Sequence, residues 1–203
     1  MAAASSPVVL PHLPPRPLLV VLAGPSGSGK SSLASAFLST RDDFVESVSA
    51  TTRAPRPGEV DGADYRFLSE AAFTEMIAAD AFLEHAQVFG RHRYGTPRDA
   101  VEAAFAAGRH VIMDIDVQGA AQIRQRMPEA VQVFIVPPST EELERRLRGR
   151  GTEVEADVQR RLQEAAAECS NARSFDYLLV NDRIECAVAD LQAIVRAEAM
   201  RWH

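Results

Sequence analysis

Three features of this 203-residue chain predict an α/β fold in which a mostly parallel sheet carries helices on both faces. Four short apolar runs, Leu18–Ala23, His110–Asp116, Val131–Val136 and Tyr177–Val180, are separated by stretches of helical character. Runs that are apolar throughout, rather than at alternate positions, are strands buried on both faces, as helix-covered parallel sheets require. The first run leads into a glycine-rich turn and then a helix, a strand–turn–helix order that favours parallel crossovers.

Taken in order, Leu18–Ala23 is the first strand and Ser31–Phe37 the first helix. Between Ser47 and Ala86 the alternation stops. A proline- and glycine-broken stretch, Arg53–Gly62, is followed by Ser69–Ala79, which places Phe73, Met76 and Ile77 on one side of a helix. This region, about residues 48–97, reads as an inserted module. Pro97 is then expected as a first-turn proline after Thr96, and Gly108 as that helix's stop. Ser139 with Glu142, and Thr152 with Glu155, have capping-box spacing. An arginine-rich helical segment over about 145–161 would be a second movable part. Residues 1–17, rich in Ala, Ser and Pro, are read as a flexible extension, and 18–203 as one domain.

Composition narrows the function. Charged residues make up 25% and the net charge is -6, which argues against a broad nucleic-acid-binding face, since that needs a summed positive field. No apolar run approaches the roughly 18 residues of a membrane span. Cys169 and Cys186 have neither disulfide-framework nor zinc-ligand spacing, so a reducing cytoplasm is expected. Among the 22 basic residues Lys30 is the single lysine. Arginine is a planar fork and lysine a compact point charge, so this one exception marks a place that needs an ammonium.

That lysine lies in Gly24-Pro25-Ser26-Gly27-Ser28-Gly29-Lys30-Ser31, which matches G-x-x-x-x-G-K-[ST] in the strand-to-helix context that gives the pattern meaning. Glycines let backbone N–H groups curl around phosphate oxygens, and the helix N-terminus adds positive potential. Lys30 would reach the β and γ oxygens, and the Ser31 hydroxyl would ligate Mg²⁺. Asp114 and Asp116, two apart at the end of a buried strand, are expected on one face toward this cradle, paired with metal-bound water, an arginine or a substrate amine. Ser49 to Glu59 holds Arg53 and Arg56 in a proline-stiffened loop rich in hydroxyls, which suits a second, acceptor phosphate.

GPSGSGKS, SATTRAPRPGEVDGADY, FLEHAQVFG, RYGTP, MDIDVQG and RLRGRGTE follow one another in an order and spacing that resemble the guanylate kinase family from about Leu18 to the C-terminus. The resemblance implies a P-loop nucleoside monophosphate kinase moving the γ-phosphate of ATP, with Mg²⁺, onto GMP and dGMP. It implies that Gly24 to Ser31 bind ATP, that Ser49, Arg53, Arg56, Tyr65 and Tyr94 hold the GMP phosphate, and that Glu59 belongs to the GMP site. Glu84, Thr96 and Asp116 would hold the guanine, and Asp114, also in the GMP site, would face the metal through water. A carboxylate at Glu84 suits the ring N–H and exocyclic amine of guanine, whereas adenine presents a lone pair there.

Arg146 and Arg150 share a helical face and Arg161 follows beyond Gly151; by resemblance these are lid arginines that join Lys30 and Arg53 in catalysis. Arg145, Arg148 and Arg160 read as a solvated face, His85, His110 and His203 as structural, and Asn181 and Asp182 as neighbours of adenine. One departure from the family pattern is a Glu84-to-Tyr94 segment one residue longer, with a basic tip at Arg91, His92 and Arg93. Two rivals are a guanylate-kinase-like protein-binding scaffold, disfavoured by the intact phosphate loop, and a kinase for a ribosyl phosphate, disfavoured by Glu84 and the Ser49–Glu59 run. Monomer and homo-oligomer stay open.

Overall fold

Strand β1, Leu19–Ala23, is buried along its whole length, and a five-stranded sheet is built around it. The structure, a computed structural model, describes residues 16–88, 92–149 and 155–201. On one side β1 pairs with β7 (His110–Asp114), which pairs with β2 (Phe44–Glu46); on the other it pairs with β8 (Val131–Val136), which pairs with β9 (Tyr177–Val180). Every pairing in this sheet is parallel. The side-chain period of two sends alternate residues of β1 to opposite cores. Val20 and Leu22 pack with Leu33 and Phe37 of α1 (Lys30–Leu38) and Leu191 and Val195 of α7 (Ile184–Ala199). Leu19, Val21 and Ala23 pack with Val101 of α3 (Arg98–Ala106) and with Ala120 and Ile123 of α4 (Val117–Arg126). No described helix is long and apolar enough to cross a membrane.

A second sheet has the order β4-β3-β6-β5, with β3 Ala50–Thr51, β4 Arg66–Phe67, β5 Phe82–Val88 and β6 His92–Pro97. None of these strands was predicted: β3 and β4 are two residues long, and β5 and β6 carry polar side chains. The predicted helix within it is α2 (Glu70–Ala78), with Ser69 accepting from the Ala72 N–H as its cap. Phe73 of α2 stacks on Phe82 of β5 at 4.5 Å between ring centres, giving this sheet a small core of its own. A register shift between Phe82 and Glu84 marks a bulge in β5. Leu83 joins the core under α4 while Phe82 joins the small core, so the bulge turns Glu84 toward α4 as well.

Several boundaries need correction. Strand β7 stops at Asp114, and Asp116 is the N-cap of α4, its Oδ1 accepting from the Gly119 N–H at 2.7 Å. The period-two argument that put both carboxylates on one strand face therefore does not reach Asp116, because an aspartate just before a helix is drawn to the free N–H groups there. Pro97 closes β6 and is itself the N-cap of α3, one position earlier than expected. At Ser139 the hydroxyl caps α5 (Thr140–Arg148) by accepting from the Glu142 N–H, but the Glu142 carboxylate goes to Arg145 and Arg146 rather than back to the cap. The pairing of Thr152 with Glu155, residues 1–15, Arg91, Arg150 and His203 lie outside the described residues.

Candidate active site

The turn between β1 and α1 is set by backbone conformation before any side chain acts. Gly24, Gly27 and Gly29 all have positive φ, at 140°, 89° and 88°. L-residues with a Cβ avoid this region. Space forbids one as well: a Cβ on Gly24 would come within 2.2 Å of the Ile135 carbonyl oxygen, and one on Gly29 within 2.4 Å of Asn181 Nδ2. Lys30 Nζ donates to the carbonyls of Gly24 at 2.8 Å and Pro25 at 3.2 Å, folding the ammonium over the turn. Pro25, Ser26, Gly27 and Ser28 form the rest of the loop, with the Ser28 N–H donating to the Pro25 carbonyl.

Three contacts fix this loop from outside. Asn181, just after β9 and only 5% exposed, donates through Nδ2 to the Ser28 carbonyl at 2.9 Å. Its amide N–H thus holds the loop. Arg146 of α5 donates to the Asn181 carbonyl at 2.9 Å and the Ser28 carbonyl at 3.3 Å while Glu142 takes its Nε. Arg161 of α6 (Glu155–Cys169) donates to Ser26 Oγ at 2.5 Å. Two of the three predicted lid arginines therefore already touch the loop, whereas Arg145 and Arg148 pair with Glu142, Glu144 and Glu155 on an exposed face.

Ser31 Oγ donates to Asp114 Oδ2 at 2.5 Å, joining loop and β7. Burial pushes the Asp114 carboxyl up, opposed by Lys30. Glu46, on the neighbouring strand β2, is also raised, by burial and then by Asp114. A half-buried carboxyl beside a hydroxyl is a fitting place for a hard, oxygen-seeking ion such as Mg²⁺. Among the described residues no group of three or more His, Cys, Asp or Glu side chains could hold a metal, so such an ion would take most of its ligands from substrate and water.

At the predicted acceptor site, Arg53 makes a two-pronged ion pair with Glu59, at 2.9 and 2.8 Å, and lies over the Tyr65 ring at 5.3 Å. Glu59, followed by Tyr94, raises the Arg53 guanidinium further above its usual range, and Arg53 in turn lowers Glu59. Glu59 also accepts from the Arg56 N–H at 2.7 Å, while the Arg56 residue itself is exposed. Tyr65 and Tyr94 meet edge to face at 6.0 Å. A cavity of about 410 Å³ runs from Ser31 and Asp114 past Glu46 and Ser47 to Ser49, Glu59 and Tyr65. A second, of about 200 Å³ and lined by Ser26, Gly27, Gly29, Lys30 and Ser31, shares Ser31 and Asp114 with it.

Glu84 and Thr96 are cross-strand partners on β5 and β6, 5% and 0% exposed, and Thr96 Oγ1 donates to Glu84 Oε1 at 2.7 Å. Burial pushes the Glu84 carboxyl up to about 7, the Thr96 bond opposes this, and Asp116 adds to it. Glu84 on β5 therefore faces Asp116 at the start of α4. The basic tip is structural where described: Arg93 bonds Thr74 at 2.8 Å and covers the Phe73 ring. His110 accepts the Leu18 N–H and stacks on Phe44.

Sequence reasoning missed Glu46 and Glu168. Glu168 of α6 has its carboxyl raised by burial and lowered in turn by Lys30 and the Ser26 N–H, so it borders the loop. Its seven-residue spacing from Arg161, which touches Ser26, would have placed it on the same face of α6.

Three comparisons agree with this geometry. Residues 16–198 match the guanylate kinase family. The chain is 53% identical over 185 residues to the guanylate kinase of Escherichia coli strain K12, covering 90% of this chain and 89% of that one. It is 51% identical to the guanylate kinase of Salmonella typhi at the same coverage. Among solved structures it superposes on guanylate kinase from Anaplasma phagocytophilum with a TM-score of 0.74 and 37% identity, covering 93% of this chain and 89% of the other.

Proposed function

We propose, from the premise that this chain belongs to the guanylate kinase family and is a nucleoside monophosphate kinase, that it transfers the γ-phosphate of ATP to GMP, and to dGMP, across the junction of its two cavities. The observation that carries this is the shared wall: Ser31 and Asp114 line both the phosphate-loop cavity and the cleft that ends at Ser49 and Tyr65. A donor phosphate in the one and an acceptor phosphate in the other would meet there.

The loop N–H groups and Lys30, released from the Gly24 and Pro25 carbonyls, take the β and γ oxygens of ATP. Ser49, Arg53, Arg56, Tyr65 and Tyr94 take the acceptor phosphate, with Glu59 holding Arg53 and Arg56 in place. Glu84 accepts from the guanine N–H groups, Thr96 supports it, and Asp116 approaches the exocyclic amine. Ser31 and Asp114 would hold Mg²⁺, which supplies charge neutralisation on the nucleotide oxygens when bound. An acceptor phosphate oxygen forms the new P–O bond as the bond to the ADP oxygen breaks, in line and without a protein-bound intermediate. Lys30, Arg146 and Arg161 stabilise the charge spread over the moving group, and Arg150 is assigned the same role from its place in the family pattern.

The module at about 48–97 and the segment at about 145–161 are the parts we propose to close over the substrates, excluding water that would otherwise hydrolyse ATP. The protein is placed in the cytoplasm, where exposed Cys169 and Cys186 would stay reduced. Coupled ADP release measured over GMP, dGMP, AMP, CMP, UMP and ribosyl phosphates tests the reading. GMP and dGMP are expected to dominate. Equal turnover of AMP, or preference for a ribosyl phosphate, would overturn it.

A further inference from the structure

We propose that Gly119 is a specificity-determining residue whose missing side chain is the seat of the Glu84 carboxylate, and that Gln122 fixes the strand carrying that carboxylate. The inference rests on Glu84 reading the base, as above. Gly119 is the third residue of α4 and is buried. Unlike six other glycines of the chain it does not have positive φ. Its backbone is ordinary helix, where glycine is a poorer choice than alanine. What glycine supplies there is room. A Cβ at position 119 would lie 2.9 Å from Glu84 Oε2, 3.4 Å from its Cδ and 3.3 Å from Ile115 Cδ1.

The carboxylate has little freedom to retreat. Its other oxygen is held by Thr96 Oγ1 at 2.7 Å. The next residue of β5 is held at both ends of its peptide: Gln122 Oε1 accepts the His85 N–H at 3.1 Å, and Gln122 Nε2 donates to the His85 carbonyl at 2.9 Å. Further along the same helix face, Arg126 donates to the Phe82 carbonyl and pairs with Asp80. At its start, Asp116 is tied to the Gly119 N–H. One face of α4 thus sets the distance between Glu84 and Asp116, the two acids assigned to guanine. A methyl group at 119 must push Oε2 out of line, and a carboxylate reading two N–H groups loses one of them.

Steady-state kinetics on the full chain tests this through Gly119→Ala, Glu84→Gln and the double variant. Gly119→Ala is expected to raise KM for GMP by about ten- to a hundred-fold, as a misplaced binding group does. KM for ATP should be unchanged, and the protein should stay folded with a melting temperature lowered by only a few degrees, since the helix preference of alanine offsets part of the cost of the clash. In the Glu84→Gln background the same change should act much more weakly. Gln122→Glu, which keeps the acceptor and loses the donor, should raise KM for GMP by a few-fold, again sparing ATP. If Glu84→Gln leaves GMP selectivity untouched, the assignment of Glu84 itself fails. If Glu84→Gln does reduce selectivity but Gly119→Ala leaves KM for GMP within about two-fold, acts equally in both backgrounds, or unfolds the protein, then the role given to Gly119 is wrong.

Discussion

The phosphate loop and the proposed base-reading pocket both depend on a glycine that leaves space for a polar neighbour, yet they are assembled in opposite ways. The loop is eight consecutive residues whose glycines have positive φ, and its shape is written into its own backbone. Outside contacts from Asn181, Arg146 and Arg161 only brace it. The pocket has no such local program: Glu84, Thr96, Asp116 and Gly119 come from two strands, a cap and a helix, and meet because a bulge and a helix face bring them together. A contiguous site should be intolerant of change within itself. A composite one should be sensitive to packing some way from any ligand.

Lys30→Arg tests the first half and should have the largest effect. Charge is retained, so any loss comes from fitting a planar guanidinium where an ammonium now sits within 2.8 Å of the Gly24 carbonyl. Losing a transition-state charge contact costs about 3 to 4 kcal/mol, or roughly 10²- to 10³-fold in rate. The measurement is kcat at saturating ATP and GMP, with circular dichroism expected to stay native. A variant within a few-fold of wild type would mean that the lone lysine is an accident of composition.

Glu84→Gln tests the second half and should be milder. An amide offers one acceptor and no charge where guanine presents two donors, so selectivity for GMP over AMP should fall by about 1.5 to 3 kcal/mol. The same variant carries a pH signature. Burial raises Glu84 from 4.5 to about 7. Between those values the native protein holds a proton that the unfolded chain has released, so native stability falls as pH rises through the window and is level above it. A glutamine cannot ionise. The stability of Glu84→Gln relative to wild type, followed by melting temperature, should therefore climb from pH 4.5 to 7 and then flatten, a total change on the order of 3 kcal/mol. Parallel melting curves across that range would show that the carboxyl is not held neutral by its burial.

The contrast also explains what was legible in the sequence. In the larger sheet β1, β7 and β8 were visible because burial gives apolar runs. Strand β9 was visible as an apolar run although Leu178 and Val180 are exposed, and β2, only three residues ending in Glu46, was missed. The loop was visible because its glycines and lysine stand together. The second sheet was not: Ala50–Thr51 and Arg66–Phe67 are too short for periodicity, and in β5 the consecutive core residues Phe82 and Leu83 are followed by Glu84 and His85, which breaks any period of two. Asp116 was singled out from its place after an apolar run, and its guanine role from the family resemblance, yet its local geometry was misread, because strand period says nothing about a residue that caps the next helix. Gly119 closes the MDIDVQG run and Gln122 lies three residues beyond it, but nothing local assigns either a role. Their contacts are to Glu84 and His85, distant in the chain, and only the folded arrangement shows them.

The smallest expected effect falls on Glu59, where local and composite construction meet. Its carboxylate takes both terminal nitrogens of Arg53 and the N–H of Arg56, all within one proline-stiffened turn that includes Gly58 at a φ of 92°. The turn is local like the phosphate loop, but it serves the pocket side. Two roles are open to such a carboxylate near an acceptor phosphate. It can orient the guanidinium that receives the phosphate, or it can occupy that guanidinium and have to give way. The geometry favours orientation, because one Glu59 oxygen binds Arg53 and the Arg56 backbone at once, fixing both residues in relation to each other. Glu59→Gln keeps an acceptor but presents an amide donor to a guanidinium that can only donate, so the fork is lost. The ordering of the turn then has to occur as GMP binds. KM for GMP should rise, within about five-fold, as expected for an ion pair near the surface. Turnover and KM for ATP should hardly change, because nothing at Lys30 has moved. The deciding number is KM for GMP: a decrease would show that Glu59 competes with the phosphate, and the acceptor turn would then be a latch rather than a preformed seat.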